Sequence, residues 1–413
     1  MALTRLLIDV APLRESPQFR RLWIGGLCSG LGSQTAVVAV LHQVWETTGS
    51  PVWTGAAGLA QAVPIIVFGL FAGSLVDRVD RRRFYLITKV GQAVCAVLLA
   101  VQAFAGGPAW LVLALVAAQS CFVAGSSPAS QAILRRILPP GRRAAGLALN
   151  RVSFQTAMLI GPAIGGLLVG WAGAGACFVA DAVSFLVAVW AAVSLPPMRP
   201  EGAASRPGLH GVRAGVRFVS GHRAIRGALL TDLAATILAM PISLFPVINA
   251  ERFGGDPRML GLFLSAIAVG GVLASALSGS FTRSRPGPVM FAGSLTWGLS
   301  LALFGLAPDA WTGLALLALA GAADTVAVVS RGTVIQAHTP DALMGRAAAA
   351  EQIVGQAGPD LGDLRGGLVA AGTSASVALF SGGLLCVATV ALIAWRTPAL
   401  RRSPEAAAPK HEP

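Results

Sequence analysis

Four carboxylic acids stand well inside long apolar runs of this 413-residue chain, away from the ends: Asp232, Asp324, Asp360 and Asp363. Hydrocarbon solvates an ion poorly, so each is a functional candidate by its position alone. A low-dielectric setting disfavours the anion, and a carboxyl poised between its two states can take up and release one proton per cycle. Asp324 and Asp232 are the foremost proton-coupling candidates. Asp360 and Asp363, three positions apart and so on one helical face, could hold a proton or a cationic substrate. Plainer roles stand beside these. Asp232 lies near Arg226, Asp324 lies near Ser330 and Arg331, Asp360 and Asp363 could pair internally, and Arg365 points elsewhere. Asp181 and Glu351 fall nearer the ends of their runs and read as structural.

The elements that must position these acids are membrane spans. At 55% hydrophobic, 12% charged and a mean hydropathy of +0.71, the chain is too apolar for an ordinary soluble domain. Runs of about 20 residues, the length a bilayer core demands, can be counted twelve times. They are Leu22 to Val44, Trp53 to Val76, Phe84 to Phe104, Ala109 to Ser130, Leu147 to Trp171, Ala176 to Leu195, Ile225 to Ile248, Leu260 to Phe281, Val289 to Leu306, Trp311 to Val329, Ala347 to Ala371 and Val377 to Trp395. The predicted class is an all-α membrane protein of two six-helix bundles. Its parts are an N-terminal segment 1–21, a first bundle 22–195, a linker 196–224, a second bundle 225–395 and a disordered tail 396–413.

Orientation follows from charge. The turn from Gly73 to Arg83 carries Arg78, Arg81, Arg82 and Arg83, and short Arg-rich loops stay on the cytoplasmic side. An even span count then puts both termini there too. On this topology all of the 31 Lys and Arg except Arg252, Arg258 and Arg365 fall at the inner face, so the net charge of +13 reflects topology and not a nucleic-acid surface. The first twenty residues hold Arg5, Asp9, Arg14, Glu15 and Arg20, which argues against a cleaved signal peptide. The five cysteines lie in apolar runs without C-x-x-C spacing, so no metal site or disulfide framework is expected. In the linker, Leu209, Val212, Val216 and Val219 recur opposite Arg213 and Arg217, as in an amphipathic helix on the inner leaflet or one packed under the bundle.

The halves echo each other. Gly161-Pro162-Ala163-Ile164-Gly165 in the fifth run matches Gly358-Pro359-Asp360-Leu361-Gly362 in the eleventh, the internal duplication of many secondary transporters. Gly161, Pro162, Gly165 and Gly166 clear side chains from one face and weaken the helix, which suits either a flexible seam or plain close packing. Gln34, Gln61, Gln119 and Asn249, with His42 and Gln43, offer hydrogen bonds to a ligand. Trp23, Trp45, Trp53, Trp171 and Trp311 stand at span ends as an interfacial belt.

The Gly73-to-Arg83 loop, a glycine followed by an acid–Arg pair and a basic run, together with the twelve spans, resembles the major facilitator superfamily. Thr48-Gly49-Ser50, Asp77-Arg78-Val79-Asp80-Arg81-Arg82, Gly161 to Gly166 and Asp181-Ala182-Val183-Ser184-Phe185-Leu186 are similar to its enterobactin-exporter and macrolide-efflux branch. That resemblance implies proton-driven export of a small molecule by alternating access, with spans one, four, seven and ten lining the cavity. It also implies that the loop residues Gly73, Asp77, Arg78, Asp80, Arg81 and Arg82 act as a gate, Asp77 accepting from a helix N-terminus and pairing with Arg81. A loop that only sets topology is the alternative. The sequence departs from the pattern where the fourth span lacks an arginine and Ala157 replaces a glycine.

Other chemistries find no foothold. The lysines, Lys89 and Lys410, lie in no Walker A setting, and the histidines form no H-E-x-x-H. No ATP, nucleic acid, cofactor or metal is expected. The expected partners are a small-molecule substrate, protons and the bilayer, with the chain a monomer in the cytoplasmic membrane. A proton-coupled importer of a nutrient and a non-transporting receptor are the competing functions.

Overall fold

The computed structural model describes residues 9–76, 78–198, 221–277, 285–339 and 344–401, with the backbone alone at 70–76, 344–350, 352, 353, 356, 399 and 401. The expected amphipathic helix of the linker and residues 402–413 of the tail lie outside them. Every regular element among the described residues is a helix. In chain order these are α1 (Pro17–Thr48), α2 (Pro51–Val76), α3 (Arg81–Phe104), α4 (Ala109–Ile137), α5 (Arg143–Val193), α6 (Arg223–Ala239), α7 (Phe245–Arg252), α8 (Pro257–Ala276), α9 (Pro286–Phe304), α10 (Ala310–Ala337), α11 (Met344–Gly372) and α12 (Ala375–Arg396). A short helix, Ala11–Glu15, precedes α1, and one turn, Pro398–Arg401, follows α12.

Ten helical stretches among the described residues are long and apolar enough to cross a membrane. The twelve counted from sequence differ from these in two places. Pro140–Val193 is a single stretch of 54 residues, but it bends at Gly173 (φ 78°, ψ 173°), a conformation that a side chain forbids. Its two arms hold the fifth and sixth apolar runs. The helix α11 carries Arg346, Glu351, Asp360, Asp363 and Arg365, and that charge takes it out of the apolar set.

Helix α3 shows how these helices are dressed for lipid. Ile87, Val90, Val94, Val97, Val101 and Phe104 are exposed at helical spacing, whereas Lys89, Gln92 and Gln102 are buried on the opposite face. A soluble helix shows the reverse pattern. Trp171 and Trp311 are more than four-fifths exposed, and Trp395 two-thirds, placing large amphipathic rings outward at helix ends.

The chain divides into two compact units, one comprising 1–49, 60–207 and 256–265, the other 50–59, 208–255 and 266–413. In the first, α5 packs along α1 and α3, and α3 along α4. Gly166 meets Pro257, Arg258 and Gly261 backbone so closely that a Cβ there would sit 3.0–3.1 Å from them, while Gly165 meets Thr35 and Val38, and Gly161 meets Gln34. Pro162 lies inside the same helix and is buried. In the second, α9 packs against α10 and α12, and α6 against α11 and α12. The tail is ordered further than the sequence suggests: Leu400, 3% exposed, packs against Gly227, its apolar side chain burying the turn that follows α12.

The apolar run Ile225 to Ile248 is one span in the sequence reading and is broken in the structure. Pro241 has no N–H to continue the helix and pushes the preceding residue out of helical geometry. Met240 is extended (φ −74°, ψ 126°), a 3₁₀ turn follows at Ile242–Leu244, and α7 begins at Phe245.

Candidate functional site

Two of the expected proton carriers meet in the second unit. A cavity of about 10 Å³, room for roughly one water, is lined by Thr231 and Asp232 from α6, Ser294 and Trp297 from α9, and Asp324 and Arg331 from α10. The Arg331 guanidinium forms an ion pair with Asp232 through Nη1 and reaches Glu351 Oε1 of α11 at 3.3 Å through Nε. Asp232 and Arg331 are only 8% and 7% exposed, whereas Glu351 is half-buried. Asp232 is therefore tied to Arg331, which the sequence reading had set beside Asp324. The second Asp232 oxygen, Oδ2, is buried without a hydrogen bond. Asp324, about two turns before Arg331 on α10, has no hydrogen bond or ion pair among the described residues, yet it feels both the Asp232 and the Arg331 charge. One guanidinium thus answers for one buried carboxylate, Asp232, and two half-buried ones, Asp324 and Glu351.

The other two acids part company. Asp363 is 7% exposed and Oδ1 accepts from Ser243 N at 2.9 Å, while its carbonyl accepts from Ser243 Oγ at 2.9 Å. Asp360 takes no hydrogen bond among the described residues; it lies against Gly58, where a Cβ would come within 3.4 Å of its Oδ1. Arg365 turns away from both acids, as expected from its position, and donates from Nη1 to the Leu238 carbonyl.

Of the gate candidates, Asp77 lies outside the described residues and Gly73 is within α2. Arg78 is exposed in the turn. Asp80 is the N-cap of α3, its Oδ1 accepting from Arg83 N at 3.0 Å and its Oδ2 from Met198 N at 3.0 Å. Arg81 N donates to the Met198 carbonyl at 3.1 Å, and Arg82 Nη2 to the Val193 carbonyl at 2.7 Å. The loop is thereby stitched to the end of α5 and the start of the linker. Partial burial pushes the Asp80 carboxyl up, but the N–H groups of Arg83, Met198 and Arg82 and the Arg83 charge outweigh it and hold the group below the usual carboxylate range.

The cavity candidates are scattered. Gln34 lies against Gly161 and Gln61 is half-buried on α2. Asn249 is buried in α7, its carbonyl accepting from Phe253 N and Gly255 N. Gln119 donates to Asp181 Oδ2 at 3.2 Å, part of a polar cluster that sequence reasoning missed. Lys89 had been counted among inner-face cations and is instead 8% exposed within the first unit, while Asp181, read as an end-of-span acid, is fully buried. The available signal was a lone lysine in an apolar run with Gln92 three residues on, which one helix face brings together.

Long apolar helices, buried charges and outward hydrophobic stripes define a polytopic membrane protein. Comparison with known proteins makes the class specific. The family model described as transmembrane secretion effector, a branch of the major facilitator superfamily, matches residues 8–413, and the chain belongs to that family. It is 26% identical over 404 residues to the enterobactin exporter EntS of Escherichia coli O1:K1, covering 94% of each chain, and equally to that of Shigella boydii serotype 18. Its fold is that of a peptide transporter POT bound to sulfate (TM-score 0.75, 11% identity, 93% of this chain and 95% of that one). A bacterial homologue of the human lysosomal transporter Spinster, inward-facing and unoccupied, superposes at a TM-score of 0.70 with 15% identity, covering 93% and 95%. The protein is a major facilitator transporter of multi-pass membrane architecture.

Proposed function

We propose that this transporter exports a small amphiphilic molecule (a drug, a siderophore or another secondary metabolite) across the cytoplasmic membrane in exchange for protons, by alternating access. The single observation that carries export is the 26% identity to an enterobactin exporter maintained over 94% of both chains. Proton coupling is supported by the Asp232–Arg331–Glu351–Asp324 cluster. A proton on Asp232 releases Arg331 to Glu351 or Asp324, and the loss of that proton draws the guanidinium back, so one ionisation event rearranges contacts among α6, α10 and α11. Asp324 and Asp232 are the carriers in this reading. Asp360, which has no hydrogen bond among the described residues, is a third carboxyl available to a proton or cationic substrate, and Asp363 holds backbone in place. The loop of Asp80, Arg81 and Arg82, with Asp77, is the cytoplasmic latch. The packing of Gly161, Gly165 and Gly166 supports a close helical seam.

The test is uptake into inside-out vesicles of a panel of labelled siderophores, macrolides and dyes, with and without an imposed pH gradient. Accumulation that follows the gradient is expected. Accumulation that survives collapse of the gradient overturns proton exchange, and gradient-driven loss of a substrate from those vesicles overturns export.

A further inference from the structure

The stretch Asp181-Ala182-Val183-Ser184-Phe185-Leu186, which carried part of the family resemblance, plays no part in the cluster of the second unit. In the first unit it surrounds a pair of opposite charges. Asp181 Oδ1 accepts from Ser33 Oγ of α1 at 3.4 Å, and Oδ2 from Gln119 Nε2 of α4 at 3.2 Å. Ser184 Oγ donates back to the Asp181 carbonyl at 2.6 Å. A Cβ on Gly32 would stand 2.9 Å from Asp181 Oδ1, so the α1 backbone closes over the carboxyl. Phe185 presents its ring to the Lys89 ammonium of α3 at 5.3 Å, Tyr85 adds a second ring at 5.6 Å, and Lys89 Nζ donates to Gln92 Oε1 at 3.0 Å. Gln92 Nε2 donates onward to Ser126 Oγ of α4 at 3.3 Å.

The ammonium lies over the ring of Phe185, one helical turn along α5 from the carboxyl, yet neither belongs to an ion pair among the described residues. That arrangement is wasteful for a brace. Desolvating two ions costs several kcal/mol each in rough terms and is offset best by direct contact. Amides, hydroxyls and ring faces instead solvate each ion separately, leaving the carboxyl able to change state without dismantling a salt bridge. The titratable neighbours of Asp181 are Lys89, with the Tyr85 phenol beside it, from α3, and Cys177 from its own helix; α1 presents Ser33 and α4 presents Gln119, both neutral.

We propose that Asp181 and Lys89 form a second proton-exchange site, in the first unit. Asp181 accepts one proton from the aqueous phase on one side and yields the same proton to the other. Lys89 remains an ammonium throughout and balances the carboxylate whenever that proton is absent, so the niche alternates between net charges of zero and plus one. The role rests on the proton-exchange reading above.

The experiment is infrared difference spectroscopy of the full chain in liposomes, without substrate, as external pH is stepped. The wild type is expected to show a protonated-carboxyl band that disappears as pH rises, is missing from Asp181→Asn and is displaced in frequency in Asp181→Glu. Lys89→Gln should shift the midpoint of that band, and Lys89→Arg should leave it in place. A merely structural Asp181 would give wild-type and Asp181→Asn spectra that coincide at every pH, which overturns the proposal, as does an unmoved midpoint in Lys89→Gln. Should Asp181→Asn fail to fold, the frequency displacement in Asp181→Glu decides the matter. Failure of the proton-exchange reading is a separate result: wild-type transport that ignores a collapsed pH gradient, with the Asp181 band still present.

Discussion

Asp363 and Arg365, two residues apart on α11, hold opposite sides of the break between α6 and α7. The Asp363 carboxylate accepts from Ser243 N, at the positive end of the turn that opens α7. The Arg365 guanidinium donates to the Leu238 carbonyl, at the negative end of α6. Each charge therefore meets the helix terminus whose partial charge it complements, and Pro241 between them leaves backbone groups that α6 and α7 cannot satisfy themselves. The discontinuous helix thus has backbone groups on both sides of its break satisfied from α11.

The brace predicts a stability signature. Asp363→Ala removes a cap and should lower unfolding stability in detergent by about 1 kcal/mol. Arg365→Met leaves a part-buried carbonyl unpaired and should cost about 1 kcal/mol. Asp363→Asn keeps an acceptor and should unfold close to wild type. Because both side chains secure one break, the double variant should lose less than the two single losses added together. Strict additivity, measured by thermal or denaturant unfolding, would show that they act on separate features.

Asp324 faces the same cavity as the Asp232–Arg331 pair without a hydrogen bond of its own among the described residues. Asp324→Asn preserves size and removes the exchangeable proton. Gradient-driven accumulation in inside-out vesicles should be abolished, while exchange of labelled for unlabelled substrate, which needs no net proton movement, continues. Accumulation at wild-type rates with the wild-type pH dependence would take Asp324 out of the mechanism.

Arg331 answers for Asp232 and Glu351 at once. Taking the cation away from a buried partner costs about 3–5 kcal/mol, so Arg331→Met should express poorly or melt early. Adding Asp232→Asn to that variant removes the stranded charge and should recover much of the loss. A double variant no more stable than Arg331→Met would mean that Asp232 is solvated by something other than this guanidinium.

Much of this architecture was readable from hydropathy because lipid imposes long apolar runs on the chain. The fifth run ends at Trp171 and the sixth begins at Ala176, bracketing the bend at Gly173. The break at Pro241 was not read, since Ile225 to Ile248 is almost uniformly apolar and hydropathy does not register a missing N–H. The acids of the second unit were found because a carboxyl in hydrocarbon is conspicuous in any sequence. Which of them shared Arg331 was beyond reach: Asp232 and Arg331 are far apart in the chain, and only packing of α6 on α10 joins them. Lys89 was misassigned for a similar reason. Counting cations by distance from a loop places it near the inner face, whereas the face of α3 it occupies, opposite Ile87, Val94 and Val101, turns it into the helix bundle.

The loop contact of Asp80 has a pH signature of definite sign. Its folded carboxyl is held below the ordinary value, so its contribution to stability is fully present above the unfolded value of about 3.9 and is lost only as pH falls through the lower folded value. Hydrogen–deuterium exchange at the Met198 and Arg83 amides, corrected for the intrinsic rate, should be unchanged from about pH 7 to about pH 5, and protection should fall in stronger acid. Asp80→Ala should lose that protection at every pH. A loss of protection already complete at pH values near neutral would assign the contact to a different group.

Gly173 offers the last test, because there a single side chain decides whether one 51-residue helix can fold back as two arms. Its φ of 78° and ψ of 173° lie in a region essentially closed to residues with a Cβ, while the space around it is open, with nothing within 4 Å of where that atom would stand. Any penalty from Gly173→Ala therefore reports backbone conformation and not a clash. Forcing alanine into that conformation costs about 1–3 kcal/mol, and unfolding stability should fall by that amount. The control is Gly26→Ala, a helical position on α1 that is equally open. There alanine favours the helix by about 1 kcal/mol, and stability should hold or rise. Equal effects at Gly173 and Gly26 would show that the bend tolerates a side chain and that its glycine is not what sets the turn between the two arms.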